Sequence, residues 1–256
     1  MIKVRDVSHW FAFQPDRDIR VLESVTLEVP RGQFLALVGP SGCGKTTLLN
    51  MMAGLIVPRN GEVSIEGRVC ISPNRNVGYM ISRDSLMPWR TACANVEFGL
   101  EIRGMPDQSR QARATALLKM VGLAGFETAF PSQLSQGMRQ RVALARTLAI
   151  DPAVMLFDEP FAALDAETKL LLEEDLIRIW EGSGKTVVFV THDLAEAVAL
   201  SDRVVVFSAR PGHITADVEV DISRPRDLEA IRFTQRFGVI AAEILARLKK
   251  EVVRAS

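Results

Sequence analysis

The chain has 256 residues, 48% of them apolar and 24% charged, which is typical of a water-soluble protein with one large domain or two small ones. Its 31 basic and 31 acidic side chains cancel to a formal net charge of zero, which argues against a general nucleic-acid-binding protein. The longest apolar runs have only the length of strands, so no membrane-spanning helix is expected.

The N-terminal residues 1–6 alternate between apolar and charged side chains, as an edge strand does. They contain no apolar run of the kind that a signal peptide requires, which favours a cytoplasmic protein. The cysteines Cys43, Cys70 and Cys93 are odd in number and widely spaced, so neither a disulfide framework nor a zinc site is predicted.

Further along the chain, short apolar runs alternate with longer helical patterns. Continuously apolar runs are typical of parallel strands covered on both faces, and they occupy residues 34–38, 154–157, 187–190 and 204–207. The stretch 91–150 has helical periodicity, with Leu117, Leu118 and Val121 at helical spacing. Short strand-like pieces follow at 214–222, and a final helix is predicted to end at residues 248–250. These patterns predict an α/β core with a helical insert.

A glycine-rich loop follows the first of the four buried runs. Its pattern of Gly, four residues and Gly-Lys-Thr is that of a phosphate-binding loop, and it consists of Gly39, Pro40, Ser41, Gly42, Cys43, Gly44, Lys45 and Thr46. Backbone N–H groups of such a loop form an anion site at a helix N-terminus, and the lysine supplies a positive charge. We expect Thr46 to bind Mg²⁺ and Thr47 to reach an inner phosphate. The alternative, a glycine-rich turn without a ligand, does not account for the order of strand, loop and helix.

A similar segment at 182–186, Gly-Ser-Gly-Lys-Thr, serves as an internal comparison. Ile179 stands where the first glycine should be, and the segment precedes a strand instead of following one. We interpret it as the turn that ends a helix.

In the phosphate-binding loop, aligned N–H dipoles would activate the thiol of Cys43 towards oxidation, although the simpler interpretation is a small residue that fits the turn.

Two carboxylates follow the second buried run. Asp158 and Glu159 stand at the carboxyl end of a predicted strand, where parallel α/β sheets bind ligands. Asp158 is expected to hold Mg²⁺ and Glu159 to act as a general base on water. His192 follows the third buried run, and beside a phosphate site it could sense a γ-phosphate; a lone histidine is otherwise commonly an ordinary turn residue.

A further motif, Leu-Ser-Gln-Gly-Met-Arg-Gln-Arg at 134–141, opens a helical segment, with Ser135 as the predicted N-cap and the N–H of Gly137 as part of a small anion site. Together with the phosphate loop and the carboxylate pair, it resembles the signature of ATP-binding-cassette (ABC) ATPases over nearly the whole chain. The resemblance implies a P-loop NTPase fold (RecA-like), with a mostly parallel sheet, an N-terminal antiparallel part and a helical subdomain. It implies a single ABC ATPase domain, with a nucleotide-binding core at 1–90 and 151–220, a helical subdomain at 91–150 and a C-terminal tail at 221–256.

The same resemblance assigns roles to individual residues. Gly39 to Thr47 look like the Walker A loop, Glu159 the catalytic base and His192 the switch histidine. Ser135, Gln136 and Gly137 match the signature, and Asp165 the D-loop. Phe11 stands where an aromatic ring stacks on adenine, with Trp10 and Phe13 as alternatives. The family forms head-to-tail dimers in which each ATP lies between one Walker A loop and the partner's signature, so ATP, Mg²⁺ and a homodimer are implied.

Two positions differ from the family pattern. Ser82 stands where the family has a glutamine that ligates Mg²⁺, and its shorter side chain predicts contact through water and weaker coupling to a partner. Gln136 stands where glycine is usual, which places a side chain beside the γ-phosphate pocket.

The apolar residues of 86–90, Leu-Met-Pro-Trp-Arg, either fold back into the core or form the surface that receives a permease. This run, the residues after Ser135 and Arg210-Pro211-Gly212 resemble importer ATPases of the nitrate, sulfonate and taurine group. That implies integral membrane permease subunits, an indirect solute-binding protein and a peripheral place on the cytoplasmic face of the inner membrane. The alternatives are a soluble ABC-type ATPase without a role in transport and a regulatory cassette with impaired hydrolysis. No nucleic acid is expected as a partner.

Overall fold

A computed structural model describes residues 1–14, 17–82 and 85–255. The strands in chain order are β1 (Ile2–Gln14), β2 (Arg17–Val29), β3 (Phe34–Val38), β4 (Asn60–Ile65), β5 (Arg68–Val69), β6 (Val77–Met80), β7 (Val154–Asp158), β8 (Thr186–Val190), β9 (Arg203–Phe207) and β10 (Ile214–Glu219). The helices are α1 (Lys45–Met52), α2 (Ala92–Ile102), α3 (Asp107–Met120), α4 (Gln136–Ala149), α5 (Ala166–Trp180), α6 (Leu194–Leu200) and α7 (Gln235–Ala255), with 3₁₀ turns at Pro131–Gln133 and Ala230–Phe233. Within the described residues, no helix is long and apolar enough to cross a membrane.

The chain forms two compact units, unit 1 (residues 1–74 and 183–256) and unit 2 (residues 75–182). The predicted helical stretch 91–150 falls inside unit 2, and the predicted subdomain and tail boundaries stay predictions.

Unit 1 contains an antiparallel sheet with the order β2-β1-β4-β5. Strand β1 pairs with β2 on one side and with β4 on the other. The prediction of an edge strand for residues 1–6 is therefore wrong, because the residues pair on both sides: Ile2 lies opposite both Val29 and Ile65. Alternating side chains report a strand with two unlike faces and carry no information about its neighbours.

The second set of strands in unit 1 has the order β10-β9-β3-β8. Strand β3 is parallel to both β8 and β9, and its five residues are all buried. The continuous apolar runs thus mark parallel strands covered on both faces, as predicted. Strand β10 ends at Glu219, so residues 220–222 of the predicted strand-like stretch lie beyond it, and α7 continues to Ala255, past the predicted end at 248–250.

Unit 2 contains the parallel pair β6 and β7 and the helices α2 to α5. Leu118 and Val121, placed on a helical face by the sequence, are fully buried, Leu118 in α3 and Val121 just after it. The carboxylate of Asp175 on α5 receives hydrogen bonds from Arg141 on α4 and from Arg178, which ties the two helices together.

Candidate functional site

The glycine-rich loop of unit 1 connects β3 to α1, as the sequence predicts. Gly42 and Gly44 adopt positive φ angles of 74° and 107°, where a side chain would be strained. A β-carbon on Gly44 would also lie 2.6 Å from Cδ2 of Leu22, on β2 of the neighbouring sheet. Glycine is therefore required at position 44 both by the backbone and by packing.

The lysine of this loop is turned into it. Lys45 is only 6% exposed, and its Nζ donates hydrogen bonds to the carbonyls of Gly39 at 2.7 Å and Pro40 at 2.9 Å. The Sγ atom of the buried Cys43 lies 3.6 Å from the same Nζ. The positive charge thus sits inside the loop, where backbone N–H groups at the start of α1 also favour an anion.

The two threonines of the loop differ in exposure, with Thr46 exposed and Thr47 half-buried.

The similar-looking segment at 182–186 follows α5, which ends at Trp180, and leads into β8. Gly182 and Gly184 have positive φ angles there, so the segment is a turn after a helix, as predicted.

His192 lies at the same edge of the sheet as the phosphate loop. Leu37, the last residue but one of β3, is paired with Val190 at the end of β8, so the segments that follow the two parallel strands leave the sheet side by side. The neighbouring Thr191 donates a hydrogen bond to Glu196 and accepts one from the N–H of Asp193 at 2.9 Å, and Asp193 caps α6. These bonds fix the backbone on which the exposed His192 stands.

The candidate adenine-stacking residues lie on β1. Phe11 is 43% exposed, and its ring meets that of His9 edge-on with a centroid distance of 4.7 Å. Phe11 and Trp10 line an open cavity of about 580 Å³. The side chain of Phe13 lies outside the part of the chain that the structure describes.

In unit 2 the two carboxylates stand at the end of β7. Asp158 is 8% exposed. Burial of Tyr79 on the neighbouring β6 and the charge of Asp158 together raise the pKa of Tyr79 well above its ordinary value. Burial is the larger cause. Glu159, the next residue, has φ of 49°, which is uncommon for a residue other than glycine. Such backbone strain is frequent where a side chain is held for function.

Ser82 lies two residues after the end of β6, the strand that neighbours β7 and its carboxylates. Met80 is paired with Phe157, so the residues after β6 and β7 emerge side by side. The backbone carbonyl of Ser82 accepts a hydrogen bond of 3.3 Å from Nε2 of Gln140, a buried side chain of α4. The sequence did not indicate Gln140 as a support for Ser82, because the two residues are 58 positions apart and meet only in the folded unit.

The predicted signature forms the start of α4. Ser135 is the N-cap, and its hydroxyl accepts a hydrogen bond of 3.2 Å from the N–H of Met138, as the sequence predicts. Gln136 is exposed and Gly137 buried. A β-carbon on Gly137 would lie 2.5 Å from Cγ2 of Thr168 on α5. The signature is thus packed closely against the first turn of α5.

Asp165 caps α5 and stands three residues before Thr168. Its carboxylate accepts a hydrogen bond of 3.0 Å from the N–H of Thr168, and hydrogen bonds from Thr168 lower its pKa. The two predicted elements, signature and D-loop, are therefore brought together within unit 2 through Thr168.

The loop 85–91 of unit 2 divides its apolar residues between core and surface. Leu86 is buried, whereas Trp89 is 73% exposed. The loop is held by Asn95, a fully buried side chain that accepts from the N–H of Met87 at 2.8 Å and donates to three carbonyls of the loop at 3.0 to 3.2 Å. The sequence did not single out Asn95, since an isolated asparagine in a helix carries no pattern.

Comparison with known proteins places these features in a family. Residues 22–162 match the family described as ABC transporter. The chain is 49% identical over 254 residues to an uncharacterised ABC transporter ATP-binding protein of Methanocaldococcus jannaschii, covering 99% of this chain and 93% of the relative. It is 40% identical over 252 residues to a taurine import ATP-binding protein of Rhizobium johnstonii, covering 97% and 96% of the two chains.

Among solved structures, the dimeric ATP-binding cassette MJ0796, described in a post-hydrolysis state bound to ADP and Pi, is similar with a TM-score of 0.78 and 33% identity. The match covers 87% of this chain and all of that one. These likenesses confirm the predicted family resemblance and the P-loop NTPase fold.

Proposed function

The chain belongs to the ABC transporter family of ATP-binding proteins, and we propose that it is the ATP-hydrolysing subunit of an importer. In this proposal it works with separate integral membrane permease subunits, and indirectly a solute-binding protein, at the cytoplasmic face of the inner membrane. The observation that carries the proposal is the similarity to a taurine import ATP-binding protein over 97% of this chain. The solute is then a small one of the nitrate, sulfonate and taurine type.

We assign the ATP phosphates to the loop 39–47. The chemical support is the loop itself, whose glycines leave space for an anion and whose buried Lys45 points its ammonium group into it. On ATP binding, Lys45 would exchange the carbonyls of Gly39 and Pro40 for phosphate oxygens, which are charged and hence stronger acceptors. Adenine would stack on Phe11.

The Mg²⁺ that accompanies ATP would be held by Thr46, Asp158 and Ser82. One carboxylate and two hydroxyl groups are oxygen donors of the kind that Mg²⁺ prefers, so this donor set fits the ion. When bound, the ion neutralises negative charge on the β- and γ-phosphates. The hydroxyl of Ser82 is short for direct ligation, and its contact would pass through water.

Hydrolysis would begin at Glu159. Its carboxylate would accept a proton from the attacking water, as a general base does, while Asp158 beside it holds the metal. His192, on its hydrogen-bonded turn, would contact the γ-phosphate and report its loss. Lys45 would supply positive charge against the negative charge that develops on the γ-phosphate.

A second copy of the chain would complete each ATP site. Ser135, Gln136, Gly137 and Asp165 would act on the nucleotide of the partner in a head-to-tail homodimer. Two observations support this part of the proposal: the capped start of α4 offers N–H groups to an anion, and the similar cassette of known structure is described as dimeric.

The permease would dock on the loop 85–91. Trp89 exposes most of its side chain, and the loop backbone is fixed by the four hydrogen bonds of Asn95. An exposed aromatic side chain on a rigid loop is typical of a binding hot spot, because little conformational entropy is lost when a partner covers it.

Copurification tests the importer proposal. The tagged chain is expressed in cells that contain its own transporter genes, and membranes are solubilised in detergent. We expect permease subunits to copurify with the chain and with Phe233→Ala, a control that removes another exposed aromatic ring. Trp89→Ala should lose them. If no membrane protein accompanies the unaltered chain, it is not a transporter subunit.

A further inference from the structure

A turn between β9 and β10 contacts the phosphate loop. The turn, residues 208–213, is closed by the N–H of Ser208, which donates to the carbonyl of His213 at 2.9 Å. The buried hydroxyl of Ser208 receives the N–H of His213 and donates to the carbonyl of Pro211 at 3.0 Å. These bonds make the turn a defined support instead of a loose connection.

Gly212 joins this turn to β2 and to the phosphate loop. Its N–H donates to the carbonyl of Val21 at 2.8 Å, and its carbonyl accepts from the N–H of Glu23 at 3.0 Å. A β-carbon at position 212 would lie 1.9 Å from the carbonyl oxygen of Cys43, inside the phosphate loop. Because real β-carbons never come so close to backbone, any other residue here would displace the loop or the turn.

Arg210 contacts the same loop at Gly42. Its Nε donates to the carbonyl of Gly42 at 3.3 Å, and its Nη2 would lie 3.1 Å from a β-carbon at that position. No carboxylate pairs with Arg210 in the part of the chain that the structure describes. Its positive charge therefore stands beside the proposed phosphate loop without a carboxylate partner among the described residues.

From this geometry we infer that the turn containing Arg210 and Gly212 belongs to the nucleotide site. Gly212 allows the segment from Gly42 to Lys45 to take the position in which the N–H groups of that segment contact phosphate. Arg210 adds positive charge to the same loop. Both are positioning residues: they act through the loop. The inference rests on the proposed role of the loop 39–47 in binding ATP.

Equilibrium binding of a fluorescent ATP analogue to the purified full chain, with Mg²⁺, tests the inference. Gly212→Ala is expected to raise the Kd by roughly tenfold, because each binding event must first restore the loop. Gly238→Ala is the matched control, since nothing lies within 4 Å of a β-carbon there. Arg210→Ala should raise the Kd by about threefold, as expected for one exposed charge, and Arg210→Lys should restore it.

ATPase kinetics separate positioning from a general loss of structure. The free energy needed to restore the displaced loop weakens ATP binding but does not affect the later chemical step. KM should therefore rise with the Kd, while kcat at saturating ATP stays within about twofold. If Gly212→Ala does not fold, the exposed Arg210 variants still decide. Either alanine variant binding the analogue as the unaltered chain does would overturn the inference.

Lys45→Ala distinguishes this failure from a failure of the proposed function. If Lys45→Ala loses ATP binding while the Arg210 and Gly212 variants retain it, the inference alone is wrong. If Lys45→Ala also binds normally, the assignment of the loop itself is wrong.

Discussion

Gly137 and Thr168 leave no room between them for a side chain: a β-carbon on Gly137 would lie 2.5 Å from Cγ2 of Thr168. The contact joins the start of α4 to the first turn of α5 within unit 2. It gives Gly137 a packing role inside its own chain, in addition to any contact with ATP across a dimer.

Gly137→Ala should therefore destabilise the protein by about 1–3 kcal/mol, the usual cost of overpacking, and lower ATPase activity. Thr168 cannot simply rotate its methyl group away, because hydrogen bonds tie it to Asp165. The double variant Gly137→Ala/Thr168→Ser removes the clashing methyl group and should regain the lost stability in urea unfolding. Equal instability of the single and double variants would show that the contact is not the cause.

Lys45→Ala should lower kcat/KM for ATP by on the order of a hundredfold, since it removes the charge that meets the phosphates. Lys185→Ala is the matched control, because Lys185 stands in the same Gly-Lys-Thr sequence but in the turn directly before β8. It should stay within about twofold of the unaltered chain, as surface substitutions do. Equal losses from both substitutions would contradict the assignment of the phosphate loop.

Tyr79 provides a spectroscopic measure of the charge on Asp158. It is the one tyrosine of the chain, so the ultraviolet absorbance of tyrosinate reports its ionisation alone. Burial and the Asp158 carboxylate raise its pKa. Asp158→Asn should lower that pKa part of the way and leave it above the ordinary value, since burial remains. An unchanged titration curve in Asp158→Asn would mean that no charge faces Tyr79.

The same shift has a consequence for stability at high pH. A tyrosine whose pKa is higher in the folded than in the unfolded chain holds its proton more tightly when folded. Its contribution to the free energy of unfolding is therefore fully present below a pH of about 10 and is lost as the pH rises above it. Above that pH, the free energy of unfolding of Tyr79→Phe should therefore fall less steeply with rising pH than that of the unaltered chain.

Ser82→Gln should lower the Mg²⁺ concentration needed for half-maximal ATPase activity, because a longer side chain can reach the ion directly. The substitution leaves the backbone carbonyl that accepts from Gln140 in place. Stimulation by permease subunits should rise as well. If neither quantity changes, Ser82 takes no part in metal binding or coupling.

The sequence predicted those parts of the fold that depend on neighbouring residues. The buried runs of β3, β7, β8 and β9 and the N-cap at Ser135 follow from local pattern and hydrogen bonding. It could not predict that β1 is an interior strand, since this depends on pairing with β4 across some 60 positions. For the same reason the sequence does not reveal the packing of Gly212 against Cys43, although each residue belongs to a recognisable motif.

The site followed a similar division. The positions of Asp158 and Glu159 at the end of β7, and of Lys45 after the loop that follows β3, agree with the prediction because they depend only on local strand and loop patterns. Asn95, Gln140 and Thr168 were missed because their roles consist of contacts with segments distant in sequence or with a side chain on another helix.

Phosphate release from the purified chain and from Glu159→Gln shows whether this chain hydrolyses ATP with Glu159 as the base. The amide keeps the size of the side chain but cannot accept the proton. We expect Glu159→Gln to lower kcat by about 10²–10⁴-fold, the usual contribution of general base catalysis, with ATP binding retained. Equal rates of phosphate release from the two proteins would contradict it.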